Sequence, residues 1–191
     1  MPIFFASCAT SPSKENLIPK DYKVNQQKGV VFGTFSIYKK PRFSTYSINF
    51  RKNNTFKKED QKLNRIFIAT NRGGFAATLV PDFTYDKDVA TYYFFFEREP
   101  GDYEFSTINV YSQGYMYSTL YSATISLPFK IEAGKMKYLG EIIFNPKGNS
   151  FISVKDEYDR DLQKFLEKYP NTDWGNSIKS ENFEVKILSR Q

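Results

Sequence analysis

The side chains that could do chemistry in this chain are carboxylates, tyrosines and one thiol, because none of its 191 residues is histidine. That removes the commonest general base, the commonest metal ligand and every Ser-His or Cys-His nucleophile pair. Cys8 is the single cysteine, so neither an internal disulfide nor a thiolate metal cage can form. Acid–base work by paired carboxylates survives this filter. Glu97 and Glu99 lie on the same side of a strand-like run, about 7 Å apart at the Cα level, a spacing compatible with a glycosidase pair. Asp82, Asp86 and Asp88 crowd another short stretch with Tyr85 and Lys87. The EF-hand spacing, its central Gly and its terminal Glu are absent, so that stretch reads as a solvated turn, and no metal or cofactor is expected. A carboxylate-only hydrolase is the chemistry the composition permits. Glu97/Glu99 or Asp82/Asp86 would be its acid and base; the first pair equally marks a wet strand end, and a non-catalytic protein is the expectation.

Tyrosine offers a second kind of site. Tyr111, Tyr115, Tyr117 and Tyr121 recur among Ser112, Gln113, Gly114, Ser118 and Thr119. Tyr among small polar residues is a binding-surface composition, because the ring supplies rigid amphipathic area at low entropic cost. Exposed rings of this kind stack on sugars, so residues 111–121 are a candidate glycan-binding loop. Alternate tyrosines flanking a long hairpin would produce the same pattern.

Charge is unevenly placed along the chain. Residues 20–72 hold 13 Lys/Arg against 3 Asp/Glu, whereas residues 73–145 hold 5 against 9. A basic half favours an anionic neighbour, although alternating strands also put lysines on their wet face. Lys57, Lys58 and Lys62 make the loop over residues 52–64 the most basic tip. Gly73-Gly74 reads as a turn, since no phosphate-loop spacing and no helix follow it.

The elements that position these residues are mostly strands. Phe and Tyr number 19 and 14, an enrichment that favours sheet over helix. Residues 29–38 and 91–97 are apolar in both phases, as strands covered on both faces are. Residues 45–51 alternate, with Tyr46, Ile48 and Phe50 inward and Thr45, Ser47 and Asn49 outward. Residues 65–70 and 75–83 form shorter strands. Glu99-Pro100-Gly101-Asp102 is a turn feeding Tyr103, Phe105 and Thr107 on one face, at the centre of a sheet. Ala133-Gly134-Lys135 predicts a hairpin between Ile125-Leu127-Phe129-Ile131 and Met136-Tyr138-Gly140-Ile142-Phe144. Residues 156–169 are the one clear helix, with Tyr158, Leu162, Phe165, Leu166 and Tyr169 on a single stripe. A closing strand spans residues 183–188. No apolar run reaches the length of a membrane-spanning helix.

The resulting fold class is mainly β, an antiparallel β-sandwich with one C-terminal helix. Residues 1–28 are a leader-like start and polar tether, and residues 29–191 a single domain. Phe5-Ala6-Ser7 directly before Cys8 resembles the lipobox of bacterial lipoproteins, with residues 9–16 as the polar tether behind it. No Lys or Arg precedes Cys8, and a translation start further upstream would supply the missing leader. The resemblance implies lipidation of Cys8 and a membrane anchor. Ala9 matches the outer-membrane sorting class, so the chain would face the periplasm or the surface.

Pro100-Gly101-Asp102-Tyr103 is similar to an element of transthyretin-like and carboxypeptidase-regulatory-like sandwiches. The run from Phe129 to Ile142, with Gly134 and Tyr138-Leu139-Gly140-Glu141-Ile142, looks like uncharacterised envelope lipoproteins on that Ig-like scaffold. The resemblance covers roughly residues 29–154 and carries over no catalytic residue. It implies a fold and an envelope location; the lipobox-like start, the polar tether and the absence of histidine add the expectation of a non-catalytic binding or structural module. An envelope protein, an anionic polymer or a polysaccharide is the expected partner, and nucleic acid is not.

Overall fold

The structure, a computed structural model, describes residues 18–19, 21–38, 43–53, 64–69, 80–86, 88–113, 118–145, 151–181 and 183–190. Strands β1 (Gly29–Tyr38), β2 (Thr45–Lys52), β3 (Arg65–Ala69), β4 (Phe83–Asp86) and β5 (Val89–Arg98) come first. β6 (Gly101–Gln113), β7 (Ser118–Ile131), β8 (Met136–Phe144) and β9 (Ile152–Lys155) follow. Helix α1 (Tyr158–Lys168), a 3₁₀ turn (Trp174–Asn176), β10 (Ser177–Lys179) and β11 (Lys186–Arg190) complete the described elements.

The strands form two sheets. Sheet A has the order β10-β8-β1-β5-β4, with β9 also on β8, and sheet B the order β11-β7-β6-β2-β3. Their inner faces share one apolar core, to which Val31, Phe35, Phe94, Phe96, Leu139 and Phe144 come from sheet A. Tyr46, Ile48, Phe50, Phe105, Ile108, Val110 and the alternate residues Ala123 to Ile131 come from sheet B. Phe50 stacks on Phe96 across the interface at 4.3 Å between ring centres.

Every ladder in sheet B is antiparallel, but sheet A is mixed: β8 runs parallel to both β1 and β10. The expectation of a wholly antiparallel fold is corrected there. The cause lies in the two turns read as sheet-internal. β5 pairs with β1 in sheet A, while β6 pairs with β2 and β7 in sheet B. Pro100-Gly101 is therefore a corner between the sheets and not the centre of one. Ala133-Gly134 is likewise a corner and not a hairpin, since β7 lies in sheet B and β8 in sheet A. Its Gly134 has φ +67° and donates its N–H to the Lys28 carbonyl, which ties the corner to the start of β1.

What separates the sheets is which faces must be dry. β1 and β5 are buried along nearly their whole length, as their two-phase apolar runs predict, because both faces of sheet A are covered. β2 and β7 alternate, with one face in the core and the other outward. A helix covers the outside of sheet A. There Phe165 of α1 and Trp174 of the 3₁₀ turn join Val30, Phe32, Tyr93, Phe95, Met136 and Tyr138 in a second apolar cluster. Phe165 lies 4.1 Å from Tyr93 and 5.2 Å from Phe32 between ring centres. The apolar stripe of the helix is rotated from the expected one: Asp161 points in and Leu166 is 44% exposed.

Ile18 is buried in this second cluster, with Tyr22 and Val24 packed against it. The body thus takes in part of the segment read as tether. The expected strand over residues 75–83 falls mostly outside the described residues, as does the basic loop tip at Lys57, Lys58 and Lys62. Tyr85 and Asp86, read as part of a solvated turn, instead belong to edge strand β4, which begins at Phe83.

Candidate functional site

Two irregularities in the ladders decide which side chains meet. Gly140 interrupts the register between β1 and β8, so that Phe32 faces Tyr138 but Thr34 faces Glu141. Its φ is +101°, a region that L side chains rarely adopt, and an added Cβ would lie 2.8 Å from the Lys155 carbonyl oxygen. The bulge reverses the phase of β8: Met136 and Tyr138 point out under the helix, Leu139 turns in, and Glu141 points out again. The expected single face of Met136, Tyr138, Gly140, Ile142 and Phe144 is corrected accordingly. In β6 a second shift between Phe105 and Thr107 puts Ile108 in the core and frees Thr107 for the outer face.

The first bulge assembles a buried polar network between sheet A and α1. Thr34 and Ser36 of β1, Thr91 of β5, Glu141 of β8 and Asp161 of α1 are all essentially inaccessible. Asp161 Oδ2 accepts hydrogen bonds from the Thr34 hydroxyl and the Tyr138 phenol, each at 2.6 Å. Its Oδ1 accepts from Arg160 Nε at 2.9 Å and Nη2 at 2.6 Å. The same Arg160 Nη2 stands 3.3 Å from Glu141 Oε2, while Ser36 donates to Glu141 Oε1 at 2.5 Å. The Arg160 guanidinium stacks over Tyr85 of β4 at 4.5 Å and closes the network from outside.

Burial pushes the Asp161 carboxyl above the ordinary carboxylate range, against the hydrogen bonds and the Arg160 charge that favour its ionised form. Burial, with the Asp161 carboxylate beside it, likewise drives the Tyr138 phenol up. A carboxylate offers about four lone-pair sites. Asp161 uses four, all on internal donors, so its part in the network is to hold α1 on the sheet. The sequence carried two signals for this network: a glycine inside a strand pattern, and an aspartate four residues before Phe165 on the helix.

Sheet B presents the contrasting surface. The register aligns Leu120, Tyr111 and Thr45 in one row across β7, β6 and β2. Ser122, Asn109 and Ser47 form the next row, and Thr124, Thr107 and Asn49 the third. These nine residues alternate with the core residues and face outward, and no described element covers them. None carries a charge. Among the described residues none of the seven Ser, Thr and Asn side chains is engaged in a hydrogen bond. Charge begins at the rim: Arg51 pairs with Glu104 at 3.1 Å, and Arg65 lies over Phe67 at 5.1 Å.

The predicted site residues are distributed as follows. Tyr111 is half-buried on the outer face of sheet B, within the neutral rows. Tyr121 pairs with inward-facing Val110 and so lies on the other face, its ring edge-on to Phe43 at 5.4 Å. These two tyrosines do not share a platform. Tyr115, Tyr117 and Cys8 lie outside the described residues. Glu97 accepts a hydrogen bond from the Tyr22 phenol at 2.6 Å and pairs with Lys28. Asp82 accepts the Tyr93 N–H at 2.6 Å and pairs with Lys168 of α1. One member of each carboxylate pair is therefore bound to the body. The neutral face escaped the sequence reading except for Thr45, Ser47, Asn49 and Tyr111, because the β6 shift and the strand order are tertiary facts.

No protein-family model matches the chain, and no curated protein matches it. Among solved structures it is similar to a leucine-rich repeat protein from Bacteroides thetaiotaomicron, at 12% identity over 62% of this chain. The chain spans 14% of that protein's length, and the TM-score of 0.34 is too low to establish a shared fold.

Proposed function

We propose that this chain is a non-catalytic binding module of a bacterial cell envelope, tethered through a lipidated Cys8 and presenting the outer face of sheet B to its partner. The observation that carries the reading is the inequality of the two outer faces. The helix roofs sheet A, and the chain enters the body on that same side, where Ile18 is buried. Cys8 is ten residues before Ile18, a reach of about 35 Å at full extension. The outer face of sheet B, which no described element covers, lies on the opposite side of the two-sheet body. A tether on one side and an open face on the other is the arrangement a surface-presented module needs. The lipobox-like Phe5-Ala6-Ser7-Cys8 and the likeness to envelope lipoproteins on a transthyretin-like sandwich agree with this role. A mixed sheet A would be a departure within that family.

Cell fractionation with mass spectrometry of the N-terminal peptide, wild type against Cys8→Ala, tests it. The expected result is a lipid-modified Cys8 in the membrane fraction and a soluble variant. Unmodified wild-type protein in the cytosol would overturn the reading and make the basic segment, residues 20–72, the leading clue to an anionic partner.

A further inference from the structure

We infer that the nine-residue outer face of β7, β6 and β2 is a binding platform for a neutral polysaccharide, an assignment that rests on reading sheet B as the presented surface. The platform has three strands about 4.8 Å apart and three rows about 7 Å apart, which makes it roughly 10 Å by 14 Å. It is wide enough for more than one sugar ring. Hydroxyl and amide side chains both donate and accept hydrogen bonds, as a polyol does, so Ser47, Asn49, Thr107, Asn109, Ser122 and Thr124 complement sugar hydroxyls in either direction. Tyr111 and Leu120 at one end supply flat and apolar surface for the C–H face of a ring.

The charge pattern selects the ligand. A quarter of the chain is charged, yet these three rows hold no Lys, Arg, Asp or Glu. An anionic polymer would require cations within the rows, and the nearest described ones are at the rim, with Arg51 already paired to Glu104. A peptide adding as a strand would use a sheet edge and its backbone groups, whereas these side chains stand on the face of a sheet, across β7, β6 and β2. Among the described residues the seven polar side chains have no hydrogen bonds to give up, which lowers the cost of engaging a ligand. This site differs from the tyrosine loop of the sequence reading: it keeps Tyr111, excludes Tyr121 and adds residues of three strands.

Native affinity electrophoresis of the full-length chain in gels containing a β-glucan, a mannan, a galactan or starch tests the inference, with polygalacturonate as the anionic comparator. The expected result is retardation by at least one neutral polymer. Asn109→Asp and Ser122→Asp, on separate strands, should each weaken it at least tenfold, and Tyr121→Ala on the opposite face should leave it unchanged. Thermal melts identify any variant that fails to fold. An amide chemical-shift titration of the wild type with oligosaccharides of the retained polymer needs no variant, and should move Ser47, Asn109 and Ser122 first. Retardation only by polygalacturonate and lost in salt would overturn the inference. So would no retardation at all, or sedimentation showing a dimer that Asn109→Asp dissociates. None of these outcomes alters the state of Cys8, so the ligand class and the envelope reading fail separately.

Discussion

On the outside of sheet A, strands β1, β5 and β8 carry Val30, Phe32, Tyr93, Phe95 and Met136, and then, further along, Thr34, Ser36, Thr91 and Glu141. Helix α1 matches that gradient residue for residue, with Phe165 over the apolar part and Arg160 and Asp161 over the polar part. On the outside of sheet B the corresponding positions are Ser, Thr and Asn with Tyr111 and Leu120 at one end, and no described element covers them. The first face has its polar groups saturated from within, whereas among the described residues the seven Ser, Thr and Asn side chains of the second face's neutral rows are unengaged. A polar group enclosed by protein must find a protein partner, because leaving it unpaired costs more than the bond contributes. One facing water has no such requirement and can be kept for a ligand. The comparison teaches that in this molecule the burial of a polar residue marks architecture, and its exposure on an ordered face marks the place to look for recognition.

The contrast can be broken most strongly at Asp161. Asp161→Ala leaves Thr34 and Tyr138 without their acceptor and Arg160 with Glu141 and Glu157 alone, and urea unfolding should register a loss of about 3–5 kcal/mol. A loss below about 1 kcal/mol would mean that the network does not hold the helix. Next comes Gly140→Ala. The positive φ and the contacts its Cβ would meet at Val154, Lys155 and Phe183 predict a loss of about 1–3 kcal/mol, again by urea unfolding. Disturbing the bulge also moves Glu141, so Gly140→Ala and Ser36→Ala should be non-additive in a double-mutant cycle.

A smaller effect concerns pH. Burial raises the folded-state pKa of Asp161 above its unfolded value, so the folded chain binds that proton more tightly. The group's contribution is fully present below the unfolded carboxylate pKa and is lost as the pH rises through the folded one. The stability advantage of wild type over Asp161→Asn should therefore narrow as the pH rises across that window in parallel urea titrations. A widening gap would show that the Arg160 pairing outweighs burial. The smallest effect is expected on sheet B: Ser47→Ala, Asn109→Ala and Ser122→Ala should each shift stability by no more than about 0.5 kcal/mol. A larger loss would make the neutral face structural and weaken its contrast with sheet A.

Much of the fold is legible from local pattern. The two-phase apolar runs of β1 and β5 mark strands dry on both sides, and the alternation in β2 and β7 marks strands dry on one side. Asp159, Asp161, Phe165 and Lys168 sit where a helix over residues 158–168 would place them. These are properties of a few consecutive residues, and hydrophobic periodicity encodes them directly.

Sheet membership and strand direction are not local properties. Pro100-Gly101 and Ala133-Gly134 have the chemistry of tight turns whether they reverse the chain within one sheet or lead it into another. The choice depends on which partner strand each side meets. β8 finds β1, more than a hundred residues away in sequence, and lies parallel to it. Gly140 announces some irregularity, but only the register against β1 says that Glu141, and not Ile142, turns toward Asp161. The candidate site has the same division. Thr45, Ser47 and Asn49 are recognisably outward from alternation alone. Their union with Thr107, Asn109, Ser122 and Thr124 requires the β2-β6-β7 order and the shift after Phe105, which long-range pairing and the need to bury Ile108 impose together.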